Sequence, residues 1–200
     1  KARRVVAQGL RAAHQALFAE ARRLQHEQEE KRSGIAVPVT VRDLRTTLLL
    51  ALHRRLRDGR HLVAGGQVGD GAVVARALEG DTRTLVWLSA PDTGPRGNET
   101  TFLPDVPDTE AEWQQRVSAQ AIGGTIVYCL AMTDGVADDF TPLDDHLWRL
   151  EKPLFQGPLA EKTPEQAQRN LEALLDYARQ GSFDDRSLVC IYQQGTRPWT

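Results

Sequence analysis

The sequence predicts an α+β fold built in layers, on three observations. A long pattern of apolar residues at three- and four-residue steps opens the chain. A run of short apolar segments separated by Gly-rich turns fills the middle, and helical spacing returns in the last third before one final apolar run. Strands that follow one another across short turns favour antiparallel sheet with helices packed outside it. The expected extent is one domain over the 200 residues, enough to bury a sizeable core.

Residues 1 to about 31 read as a helix, with Val6, Leu10, Ala13, Leu17, Ala21 and Leu24 on one face. The tail QHEQEEKR lacks an apolar anchor and is expected in solvent, and SGIAVP breaks the helix. Residues 45–55 (RTTLLLALHRR) read as a strand with little alternation, so both of its faces are expected to be covered. Two strands, 61–66 and 72–78, surround the Gly-rich turn GGQVGDG, and 82–90 is another. PDTGPRGNET is a loop by its Pro, Gly and Asn content, and TTFLP starts a short strand. AEWQQRVSAQAI fits strand better than helix, and 124–133 is a strong buried strand. Phe140, Leu143, Leu147 and Leu150 fall at helical steps. Thr163-Pro164-Glu165-Gln166 is a helix start, with Thr163 as the cap, Ala167, Leu171, Leu174, Leu175 and Ala178 as the apolar stripe and Gly181 as the stop. Residues 186–194 form the last strand.

Composition narrows the function classes. Hydrophobic residues at 40% and charged residues at 26% argue against a disordered or membrane-embedded chain, and no apolar run reaches the roughly 20 residues of a spanning helix. A net charge of -2 disfavours nucleic acid as a partner; Lys1, Arg3, Arg4, Arg11, Arg22 and Arg23 read as a solvated helix face. Cys129 and Cys190 lie inside apolar runs and read as core residues rather than a disulfide, which suits a cytoplasmic setting. No HxxxH pair, Gly-x-Ser-x-Gly elbow or Gly-x-x-x-x-Gly-Lys loop occurs, so zinc hydrolysis, serine hydrolysis and a P-loop are unsupported. The helical period is already running at Lys1, with no Met and no cap, which predicts a natural start upstream.

Three aspartates stand at the ends of apolar runs: Asp70 in VGDGAVV, Asp134 in AMTDGV and Asp184 in GSFDDRSLVC. Taken singly, Asp70 reads as a turn residue, Asp134 as a helix cap and Asp184 as a loop acid. If their strands are neighbours, the three converge at one edge. Clustered carboxylates repel, and an all-oxygen set suits Mg²⁺ or Mn²⁺ rather than zinc.

The ordered set RTTLLLAL, LVAGGQVGDGAVVAR, TIVYCLAMTDGVADDF and GSFDDRSLVCIY, spanning roughly residues 35–195, resembles the metal-dependent serine/threonine protein phosphatases of the protein phosphatase 2C type. The segment GPRGNETTFL resembles their bacterial branch. The resemblance implies a four-layer α-β-β-α sandwich of two antiparallel sheets flanked by helices. Its first strands would be missing here, leaving the domain N-terminally incomplete. It implies Asp134 and Asp184 as ligands of a binuclear Mg²⁺/Mn²⁺ centre, and Asp70 as the residue that shares a third, weaker ion with Asp134. A metal-activated water would hydrolyse phosphoserine or phosphothreonine, with no catalytic side chain on this chain acting as nucleophile. The expected partner is a phosphoprotein, a cognate kinase or its target, with neither nucleic acid nor membrane involved.

Two departures from the family pattern stand out. Asp185 occupies a position where the family commonly has Asn. The family's early Asp-Gly-x-Gly, whose Asp bridges both ions, does not precede the first helix. Weak or absent catalysis by these residues alone is therefore expected, and the alternative is a catalytically inactive regulatory or interaction module of the same fold.

Overall fold

In the computed structural model, residues 1–30, 38–89, 100–160, 163–177 and 184–192 are described. The opening helix, α1 (Ala2–Glu30), lays Val6, Ala7 and Leu10 against a three-stranded antiparallel sheet of order β1-β2-β5. These strands are β1 (Leu48–Arg55), β2 (His61–Val68) and β5 (Val117–Ile122). The second sheet, of order β4-β3-β6-β7, contains β3 (Ala72–Glu79), β4 (Thr82–Trp87), β6 (Thr125–Met132) and β7 (Leu188–Tyr192), also antiparallel throughout. Short helices cover its outer face: α3 (Asp134–Ala137), α4 (Leu143–His146), α5 (Trp148–Gln156) and α6 (Pro164–Leu175).

Three apolar clusters give the four layers their order. One lies between α1 and the first sheet, around Leu10, Ala64, Val68 and Trp113. Another lies between the sheets, around Val63, Val73, Ala75, Leu88 and Cys129. The last lies between the second sheet and α3–α6, around Tyr128, Leu130, Met132, Leu147, Leu150 and Leu154. The α-β-β-α sandwich follows from this alternation, since each sheet must bury both faces.

Several expectations shift. The strands on either side of GGQVGDG do not pair with each other: β2 belongs to one sheet and β3 to the other, so residues 69–71 carry the chain across the sandwich. Both strands are buried along most of their length, because each lies inside its sheet and sandwiched between layers. TTFLP contributes only an isolated bridge at Thr100 before a 3₁₀ turn, Leu103–Asp105. AEWQQRVSAQAI holds both elements, helix α2 (Glu110–Gln115) and then β5. Thr109 caps α2 by accepting from the Glu112 amide, and Trp113 is fully buried. The Thr109-x-x-Glu112 spacing is a helix-start pattern that the strand reading overlooked.

Thr163 caps α6 as predicted, accepting from the Gln166 amide. The helix ends at Leu175 rather than near Gly181; Ala178 and Gly181 lie outside the described residues, as do residues 193–194 of the predicted last strand. Both cysteines are free. They point to opposite faces of the second sheet, Cys129 into the inter-sheet cluster and Cys190 toward the helices.

Two polar pairs sit in the layers. His53 and His61 meet nitrogen to nitrogen at 2.7 Å with their rings 7° from parallel. The 5.0 Å ring separation is that of edge-to-edge contact in one plane, so one ring nitrogen donates and the other accepts, as the tautomers dictate. On the helical side, Arg76 of β3 holds Glu151 of α5 at 2.7 Å, and the Tyr128 hydroxyl donates to the same carboxylate. Burial pushes Glu151 upward, against the pull of Arg76. Arg76→Ala is expected to destabilise the fold by up to about 3–5 kcal/mol, because buried Glu151 loses its main counter-charge and keeps only the weaker attraction of Arg83. The double change Arg76→Met with Glu151→Leu should return stability to the starting value or above in urea unfolding.

Candidate metal centre

Asp70 lies in the turn that crosses between the sheets, and that turn is tightly clamped. Buried Gln67 donates from Nε2 to the carbonyls of Gly69 at 3.0 Å and Gly71 at 2.8 Å. Ser89 in turn donates to Gln67 Oε1. Gly69 has φ +114, and a Cβ there would meet the Thr47 side chain at 2.5 Å; a Cβ on Gly71 would meet the Met132 carbonyl at 2.4 Å. Only glycines let this turn close on the start of β1 and on the end of β6.

Asp134 follows β6 directly. Thr133, not Asp134, occupies the cap position of α3, and Asp134 is the first helical residue. Its Oδ1 accepts from the Gly135 amide at 2.8 Å. Thr133 grips the lead-in to β7 with two bonds to Ser187: its amide donates to the Ser187 carbonyl at 3.0 Å, and its hydroxyl accepts from the Ser187 amide at 3.0 Å. Gly135 completes the junction. A Cβ there would meet the Asp185 carbonyl at 2.6 Å and Asp184 Cβ at 3.1 Å, so the bare backbone of Gly135 lets Asp184 close on Asp134.

The three predicted aspartates therefore converge at one end of the sandwich, and a fourth joins them. Burial raises the Asp134 pKa, and the charges of Asp70 and Asp184 raise it further; its carboxyl is within hydrogen-bonding reach of Asp70. Asp138, one turn on, is raised by burial and then by Asp134, Asp70, Asp184 and Asp139. In sequence, Asp138 reads as an ordinary polar residue of a helix; its four-residue step from Asp134 is the signal that places both on one face.

Behind this group, Asp139 accepts from Tyr177 Oη at 2.5 Å and pairs with Arg186 at 3.3 Å, with both charged side chains largely buried. Arg186 also donates to the Tyr177 carbonyl at 2.9 Å and lies 4.1 Å over its ring. This pair ties the segment carrying Asp184 to the segment carrying Asp138. Among the described residues, no three His, Cys, Asp or Glu side chains close into a ready cage for an ion. The donor set is all carboxylate oxygen, which fits a hard divalent cation, and Mg²⁺ keeps several of its waters while using only one or two carboxylates. The close pair Asp70 and Asp134 suits such a hydrated ion.

A family model described as protein phosphatase 2C matches residues 2–176. This chain belongs to the protein phosphatase 2C family. The matched span contains Asp70, Asp134 and Asp138 and stops short of Asp184, whose membership of the cluster rests on the contact at Gly135. Comparisons with curated proteins and with solved structures each returned no match.

Gathering carboxylates opposes folding. With folded-state pKa values above the unfolded ones, Asp134 and Asp138 weaken the fold at neutral pH, and the effect fades as pH falls through the folded-state range. Asp134→Asn is expected to raise the unfolding midpoint in EDTA by about 2–4 °C. Calorimetric scans at neutral pH and near pH 4 test this, because the gain should shrink at the lower pH.

Proposed function

We propose that this protein is a serine/threonine phosphatase that hydrolyses phosphoserine or phosphothreonine with a water activated by Mg²⁺ or Mn²⁺. The observation that carries the reading is the convergence of Asp70, Asp134 and Asp184 from three distant parts of a chain of this family. Asp134 and Asp184 would hold the principal site, and Asp70 would share a weaker ion with Asp134. When bound, the metal supplies an acidified water and neutralises phosphoryl charge. The chain's own contribution is placement: Gln67 and Ser89 fix the Asp70 turn, and Thr133 with Gly135 holds Asp184 against Asp134. The substrate would be a phosphoprotein, a cognate kinase or its target. No described helix is long and apolar enough to cross a membrane, and a cytoplasmic setting is part of the same proposal.

The open arrangement of the carboxylates supports a second reading, an inactive module that keeps the sandwich without a working centre. Titration calorimetry with Mn²⁺ separates the two. The phosphatase reading expects binding that Asp134→Asn weakens at least tenfold, together with Mn²⁺-dependent phosphate release from a phosphothreonine peptide. Failure to bind Mn²⁺ would favour the inactive module.

A further inference from the structure

The Asp70 carboxylate has a second anchor outside its own turn. Thr100 Oγ1 donates to Asp70 Oδ2 across 30 residues of sequence. The hydroxyl stands on a segment held in place independently of Asp70. The Leu103 amide donates to the Thr46 carbonyl at 2.8 Å, Arg45 pairs with Asp105 at 3.2 Å, and the Arg45 guanidinium lies 5.5 Å from the centre of the Phe102 ring. The residue after Thr46 is Thr47, the side chain that packs against Gly69 at the other end of the Asp70 turn. Thr100 and Asp70 are thus two arms of one assembly built on the start of β1.

We infer that Thr100 is a positioning residue for the metal centre: its hydroxyl aims the Asp70 carboxylate toward Asp134, with one oxygen occupied by the hydrogen bond and the other left to face the cation. The inference rests on the metal-dependent reading above. A carboxylate oxygen has lone pairs to spare, so accepting from Thr100 removes a rotational freedom without removing ligating capacity. Groups that orient a metal ligand through a hydrogen bond typically change affinity by about 10–100-fold when lost. The loss here should fall on the weaker ion, the one that Asp70 shares.

Titration calorimetry with Mn²⁺ on the full 200-residue chain tests this with two variants of near-equal bulk. Thr100→Val keeps the shape and removes the donor; Thr100→Ser keeps the donor and removes the methyl. The expected result is a roughly tenfold weakening of the weaker Mn²⁺ step in Thr100→Val, with Thr100→Ser within about twofold of the parent. The unfolding midpoint in EDTA should fall in Thr100→Val by no more than the few degrees that one part-buried hydrogen bond supports and stay near the parent value in Thr100→Ser, which separates aiming from packing. Equal Mn²⁺ affinity in Thr100→Val and the parent overturns the inference while leaving the metal reading intact. Equal weakening in both variants overturns it in favour of packing. No Mn²⁺ binding by the parent chain removes the metal reading, and the inference falls with it.

Discussion

Carboxylates crowded at one end of a sandwich repel one another, and much of the surrounding structure is arranged to withstand that repulsion. Asp70, Asp134, Asp138 and Asp184 come from a crossover turn, a strand end, a short helix and the approach to an edge strand. None of these elements would hold an acid against its neighbours by itself. Each is tied from behind: Gln67 and Ser89 under the turn, two bonds from Thr133 to Ser187, and Asp139 with Arg186 and Tyr177 between the last two segments. The bonds under the turn are buried and those of Asp139 partly buried, where they are stronger than their counterparts in water, while the Thr133 hydroxyl bond is exposed. The price is stability, which functional sites commonly forgo.

The glycines contribute by what they lack. At positions 69, 71 and 135 the chain approaches other backbone or side chains closely enough that a single added carbon would collide. These residues read in sequence as parts of Asp-Gly turns, but none makes an ordinary hairpin. Gly69 and Gly71 permit a passage between sheets, and Gly135 permits a helix start to abut a neighbouring segment.

The layered α+β architecture was legible from the alternation of patterns along the chain, because helix and strand impose different spacings on buried residues. Pairing was less so: nothing local distinguishes a turn that joins two strands of one sheet from one that leads to the other sheet. Asp70, Asp134 and Asp184 were visible as acids interrupting apolar runs. Gln67 and Thr100 were not, since a buried amide and a threonine gain their meaning from partners 22 and 30 residues distant, Ser89 and Asp70. His53 and His61 looked like residues flanking a turn until strand register placed them diagonally across β1 and β2, His53 opposite Val63 and His61 opposite Arg55.

Asp184 enters the site on the lead-in to β7, a strand that among the described residues pairs with β6 alone, at one end of the four-strand order. Val189 and Ile191 on its inner face are 65% and 41% exposed, so hydrophobic burial secures this strand less than its neighbours. Local opening in proteins begins where burial is thinnest. Fraying of β7 would carry Asp184 away while Asp70 and Asp134, next to the ends of interior strands β3 and β6, stay in place. Amide hydrogens of β7 should then exchange before those of β3 and β6, so the carboxylate cluster would lose Asp184 through a local equilibrium well below the threshold of global unfolding.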